Sequence, residues 1–135
     1  MATRAVIKIE GVDYASIYKH YDGYPEGMLP WLKDFNKANG NNSPDYKFAQ
    51  LLRSSAFKGE EFNLDPSTSN GYGVIPFDAD YGQEYEYVLC KNKSIEVYHR
   101  GRLEGIVFDE LEELAKEMSK HIDAIRAKAE EKIKN

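Results

Sequence analysis

The C-terminal segment carries one apolar stripe at helical spacing, and this pattern limits the possible folds more than any other feature. Aliphatic side chains recur there every three or four positions, at Leu111, Ala115, Met118, Ile122, Ile125, Ala129 and Ile133. Asp109 with Glu112 three residues later is an acidic variant of a capping box, so we predict a helix over residues 109–134. About 26 residues make a helix of roughly 39 Å, which is longer than a domain of this size is wide. We expect a homo-oligomer through this helix; the alternative is a frayed, lysine-rich tail.

Short β-rich segments separated by turn formers occur in the rest of the chain. They cover residues 5–9, 14–20, 72–77, 84–90, 94–99 and 103–107. Within 84–90, Tyr85, Tyr87 and Leu89 alternate with Glu84, Glu86 and Val88, as in a strand with one face more buried than the other. We expect a small, mostly antiparallel sheet of about five or six strands.

Two helices are predicted between the strand groups. Pro25 suits the first position of a helix, because its missing N–H would have no intrahelical partner there. Pro30 either kinks this helix or delays its regular part. The Ser-Pro-Asp sequence at 43–45 starts the second helix, and residues 59–71 lose periodicity and form a loop. With 135 residues, the chain fits a single α+β domain.

Charge and composition argue against several classes of function. The net charge of −5 argues against sequence-independent nucleic-acid binding, which needs several basic side chains on one face. The chain begins without an apolar signal core and has no run long enough to cross a bilayer, so we expect a cytoplasmic protein with no membrane partner. The single cysteine, Cys90, cannot form an internal disulfide, and the histidines lack metal-ligand spacing. We therefore expect no metal and no cofactor.

Residues 18–26 hold the densest group of functional side chains, with one imidazole, one carboxylate and three phenols. His20 and Asp22 share a face if the strand continues, and such a pair can contact a ligand or act as a general base; either side chain can equally serve the turn itself. The backbone N–H groups at Gly23 and Tyr24 lie at the predicted helix N-terminus, where anions bind. We expect these four residues to contact an anionic ligand, and we assign no catalytic residue.

Two further groups complete the expected ligand site. Tyr72 can stack its ring on a flat group. Arg100 and Arg102 flank a glycine and can hold phosphates by forked hydrogen bonds. The alternatives are a plain turn around Tyr72 and two solvent-exposed hairpin arginines.

A resemblance to phage proteins rests on three motifs, YKHYDGYP at 18–25, GYG at 71–73 and EYEY at 84–87. With them, most of the chain resembles a loose group of small uncharacterised proteins encoded by phages and prophages. That resemblance implies a genomic setting and no particular reaction. The layout of a small sheet with a long terminal helix is also similar to that of phage proteins that sequester immune signalling nucleotides, such as cyclic ADP-ribose derivatives. This likeness of architecture implies a nucleotide-binding, anti-defence role.

The sequence therefore leads to three functional hypotheses. The first is a cytoplasmic homodimer that binds a small anionic ligand, of cyclic-nucleotide or ADP-ribose type, without turning it over. The alternative is a protein-interaction module or inhibitor, which docks on a host protein through its tyrosine-rich sheet face or its acidic helix. The third is an enzyme that uses His20 and Asp22.

Overall fold

The computed structural model describes the backbone of residues 3–57, 70–108 and 110–134. In chain order its elements are β1 (Ala5–Ile9), β2 (Ala15–Lys19), α1 (Pro25–Asn39), α2 (Pro44–Phe57), β3 (Tyr72–Pro76), β4 (Tyr85–Leu89), β5 (Ile95–His99), β6 (Arg102–Val107) and α3 (Glu110–Lys134). The predicted α+β fold, with two helices between the strand groups and a long C-terminal helix, is confirmed. Most of the loop predicted at 59–71 lies outside the described residues.

The strands of the described ranges form one sheet in the order β3-β2-β1-β4-β5-β6. β1 and β4 are parallel, and the other neighbouring pairs are antiparallel, as predicted for a mostly antiparallel sheet. With these directions, the starts of β1, β3, β4 and β6 and the ends of β2 and β5 lie at the same end of the sheet. We call it the His20 end, because His20 directly follows β2.

One face of the sheet, the helix face, packs on α1 and α2. Its buried strand residues are Ala5, Ile7, Ile9, Ile17, Tyr87, Leu89, Ile95 and Val97. Met28 and Leu32 of α1 and Leu51 of α2 enter the same core, and each is at most 2% exposed. Burying a side chain of this size contributes roughly 1.5 to 3 kcal/mol, so this layer holds the two helices on the sheet.

The segment 77–84, between β3 and β4, covers part of the opposite face, which we call the open face. The Nζ atom of Lys8 lies 4.4 Å from the ring centroid of Phe77. The rings of Tyr18 and Tyr81 are 5.3 Å apart. Beyond this segment the open face of β4, β5 and β6, here the half-sheet, carries Glu86, Val88, Glu96, Tyr98, Leu103 and Ile106.

α3 runs clear of the sheet. It begins three residues after the end of β6, and every described side chain between Leu114 and Glu131 is exposed. The described part of the chain therefore leaves the apolar side chains of α3 uncovered from Leu114 to Ala129.

Candidate functional site

The seven residues predicted to contact a ligand all lie at the His20 end. His20 follows β2, Tyr72 begins β3, Arg100 lies between β5 and β6, Arg102 begins β6, and residues 22–24 link β2 to α1. Neighbouring strands are about 4.8 Å apart, so β3 and β6, at opposite edges of the sheet, are separated by roughly 24 Å. The candidates thus share one end of the sheet but are spread across its width.

The turn before α1 is tied to the sheet through Gly23. The N–H of Gly23 donates to the carbonyl oxygen of Thr3 at 2.8 Å, and its own carbonyl accepts the Tyr87 hydroxyl at 2.6 Å. Asp22, and not Gly23, has the positive φ, of 57°. The Gly23 N–H that the sequence assigns to an anion is therefore already used by Thr3, while Tyr24 lies exposed at the start of α1.

On the open face, His20 belongs to an aromatic cluster. Its Nδ1 atom lies 2.9 Å from the Tyr18 hydroxyl, and its ring contacts Tyr21 edge-on at 6.4 Å. Tyr81 also packs against Tyr18. The Tyr18 hydroxyl therefore orients the imidazole of His20 within this cluster.

On the helix face, a buried lysine lies among aromatic rings. The Nζ atom of Lys19 is 4.1 Å from the ring centroid of Tyr72 and 4.5 Å from that of Tyr21, and it donates to the carbonyl of Asn70 at 3.0 Å. Tyr72 also contacts the Trp31 ring at 5.6 Å, and burial raises the pKa of its hydroxyl. Tyr72 is therefore packed between side chains of its own chain, which leaves little of its ring for stacking on a ligand.

At the other side of the His20 end, Glu84 contacts a histidine and an arginine. Its Oε1 atom is 3.0 Å from Nε2 of His99 and 3.7 Å from Nη2 of Arg100. The His99 ring stacks on Tyr85 with centroids 4.6 Å apart. Glu84 partly neutralises the corner that the sequence assigns to phosphate, while Arg102 is exposed.

The sequence analysis missed two sets of contacts, those of Lys19 with its aromatic neighbours and those of Glu84 with His99 and Arg100. Glu84 could have been found from the hairpin register, since the pairing of Tyr85 with His99 places Glu84 opposite Arg100. Lys19 had no comparable signal, because its aromatic partners come from separate elements.

Within the described ranges, no group of three or more His, Cys, Asp or Glu side chains is arranged to hold a metal ion. In the same part of the chain, no helix is both long enough and apolar enough to span a bilayer.

A second candidate surface is the exposed stripe of α3. Leu114, Met118, Ile122 and Ile125 are 54%, 57%, 47% and 55% exposed. Aliphatic side chains at i, i+4, i+8 and i+11 line one side of a helix, so they form a continuous apolar strip. A strip of this kind is typical of a protein–protein contact.

Comparisons with protein-family models, with curated proteins and with solved structures find no match to this chain.

Proposed function

We propose that this chain is a non-enzymatic binding protein that works as a homodimer, joined through α3. The observation that carries the proposal is the uncovered apolar strip of Leu114, Met118, Ile122 and Ile125. Fully burying one such side chain contributes roughly 1.5 to 3 kcal/mol. Covering the strip in a complex therefore provides a substantial driving force for association.

The charge of α3 is compatible with a second copy as the partner. The helix contains seven acidic and six basic residues, so two copies do not repel each other strongly. A helix with a large net charge of one sign would instead favour a partner of opposite charge.

Size-exclusion chromatography with light scattering tests the dimer. The double variant Ile122→Asp/Ile125→Asp places two carboxylates in the strip, whereas Ala124→Asp/Ala127→Asp adds the same charge to α3 away from it. We expect a dimer for the wild type and for the alanine-site control, and a monomer for the isoleucine-site variant. A wild type that is monomeric at high concentration overturns the proposal.

A small anionic ligand bound at the His20 end is the second candidate function. It is favoured by the exposed aromatic rings and cations at that end, since Tyr21 and Tyr24 are 40% and 41% exposed and the Arg100 side chain is 77% exposed. Tyrosine rings stack on bases, and arginines pair with phosphates. A cyclic or ADP-ribose-type nucleotide supplies both groups, as expected for a protein that sequesters a signalling nucleotide.

Calorimetry with a panel of cyclic and ADP-ribose-type nucleotides tests this second function. Arg100→Ala/Arg102→Ala should weaken binding by about ten- to a hundredfold, because a charge-assisted contact contributes roughly 1.5 to 3 kcal/mol. His20→Ala should also weaken binding. The matched control Lys91→Ala/Lys93→Ala removes two cations from the turn at the opposite end of the sheet. Equal affinities for all variants, or no binding by the wild type, would exclude this site.

A further inference from the structure

Besides the strip of α3, the half-sheet is a further exposed surface, and it combines apolar side chains with grooves. Two adjoining grooves of about 430 and 370 Å³ run along it, and Glu10 and Glu96 line both. Val88, Ile106 and Phe108 supply apolar lining. The half-sheet therefore has the mixed character of a surface that another element can cover.

The grooves are acidic. Glu96 accepts hydrogen bonds from Tyr98 at 3.1 Å and from Cys90 at 3.6 Å, and both donors are neutral groups. The Glu10 carboxylate accepts the backbone N–H of Lys91 at 2.7 Å. After burial, the hydrogen bond to Glu96 and its negative charge are the main causes that raise the pKa of Tyr98. Negative charge therefore dominates this part of the half-sheet.

Two lysines, Lys8 and Lys91, line the grooves against four acidic residues, Glu10, Asp13, Glu86 and Glu96. The Nζ atom of Lys8 is 2.8 Å from Oε1 of Glu86, so one carboxylate already neutralises it, and it also lies over the Phe77 ring. A partner that covers the half-sheet should therefore bring apolar side chains flanked by basic ones.

α3 has this combination. At about 100° per residue, His121 and Lys128 lie on one flank of the apolar strip, with Glu117 beside them, and Arg126 lies on the other flank. These flanking side chains are exposed. In a parallel pair of α3 helices, the flank with His121 and Lys128 faces the flank with Arg126 of the other copy, so basic groups would oppose basic groups. The acidic half-sheet is the better complement to this strip.

We infer that, in the homodimer, the strip of α3 from each copy lies on the half-sheet of the other copy, with Arg126 and Lys128 beside Glu10 and Glu96. The inference rests on the proposed function, since it names the surface that receives α3. The contact occurs twice in a two-fold dimer, which is closed without further copies. It covers the apolar strip of α3 and the exposed side chains of Leu103 and Ile106 on both copies.

Cysteine cross-linking of the full chain tests this arrangement, because the single native cysteine, Cys90, lines one of the grooves. Ala115→Cys and Ala129→Cys each place a thiol near one end of the strip, and Ala127→Cys places it on the opposite side of α3. A short bismaleimide is added to each variant with and without Cys90→Ser. Peptide mass spectrometry identifies the linked cysteines, and thermal melting confirms that each variant is folded.

We expect a covalent dimer joined from Cys90 to position 115 or position 129, lost when Cys90 is replaced, and no such link from position 127. A link between two α3 cysteines that persists in the Cys90→Ser background would show helix-to-helix pairing and overturn the inference. A link from Cys90 to α3 within one chain would also overturn it, as would a light-scattering dimer in which Cys90 links to neither strip position. A monomeric wild type would instead overturn the proposed function itself.

Discussion

Position 23 requires glycine because a side chain there would clash with its neighbours, and not because of its backbone conformation. A Cβ atom at this position would lie 2.5 Å from Cβ of Ala5, 2.9 Å from the Thr3 oxygen and 3.0 Å from the Ala5 nitrogen. These atoms belong to the backbone or to a short side chain of β1, so none can move away easily. The positive φ of this turn falls on the preceding Asp22.

Gly23→Ala should destabilise the fold by about 1 to 3 kcal/mol, the usual cost of overpacking a filled site. Gly73→Ala is the matched control, because a Cβ there meets nothing within 4 Å. Urea unfolding measures both variants. Equal stabilities for the two would show that the contact between Gly23 and β1 tolerates a methyl group.

Buried tyrosines make the fold sensitive to alkaline pH. Burial raises the pKa of both Tyr72 and Tyr87. In the unfolded chain these phenols ionise near pH 10, whereas in the folded chain they stay protonated to higher pH. Their contribution to stability is therefore complete below about pH 10 and is lost as the pH rises above it.

Tyr72→Phe should flatten this alkaline loss of stability. Among the described residues, the hydroxyl it removes makes one weak contact, to the Met28 sulfur at 3.9 Å, so stability at pH 7 should change little. Tyr46→Phe, at a tyrosine that is 74% exposed, should leave the loss unchanged. Urea unfolding between pH 7 and 11 checks both. An identical decline in the wild type and in Tyr72→Phe would contradict the argument.

At the scale of elements, α3 and the half-sheet should show matched charges. Glu96→Lys places a cation where we expect Arg126 of the other copy, so the dimer should weaken by about ten- to a hundredfold. Adding Arg126→Glu should restore part of the affinity, whereas adding Lys120→Glu, on the far side of the helix, should not. Sedimentation equilibrium of the three variants measures this. If Arg126→Glu and Lys120→Glu restored the dimer affinity equally, the net charge of the chain, and not a contact between Glu96 and Arg126, would explain the effect.

The strands and helices themselves were predictable from the sequence. Alternation around Tyr85, Tyr87 and Leu89 and the C-terminal apolar stripe are local patterns, and each element formed where its pattern predicts it. The parallel pairing of β1 with β4 was not predictable in this way. It joins segments about 80 residues apart, and periodicity within a strand contains no information on its neighbour.

The same limit applies to the candidate site. His20, Asp22 and Tyr24 were selected for their chemistry, and the sheet topology brings them to the same end as Arg100 and Arg102. Packing then decides which groups remain accessible. The Gly23 N–H is used by Thr3 and the Tyr72 ring is packed against Lys19, and neither contact can be derived from local sequence.

At the scale of the whole molecule, the chain has two parts of different character. A sheet with two helices on one face builds the core, while α3 leaves this core with its apolar strip uncovered. The half-sheet is also only partly covered, since Leu103 and Ile106 are exposed on it. An assembly that pairs these two surfaces explains both with one contact.

Native mass spectrometry of the freshly purified chain tests the central claim most directly, because it reports both the number of chains and any retained small molecule. The account predicts a dominant species with twice the 15.5 kDa mass of one chain. Extra mass on this species would add support for a ligand at the His20 end. A single-chain species that persists as the protein concentration is raised would contradict the homodimer.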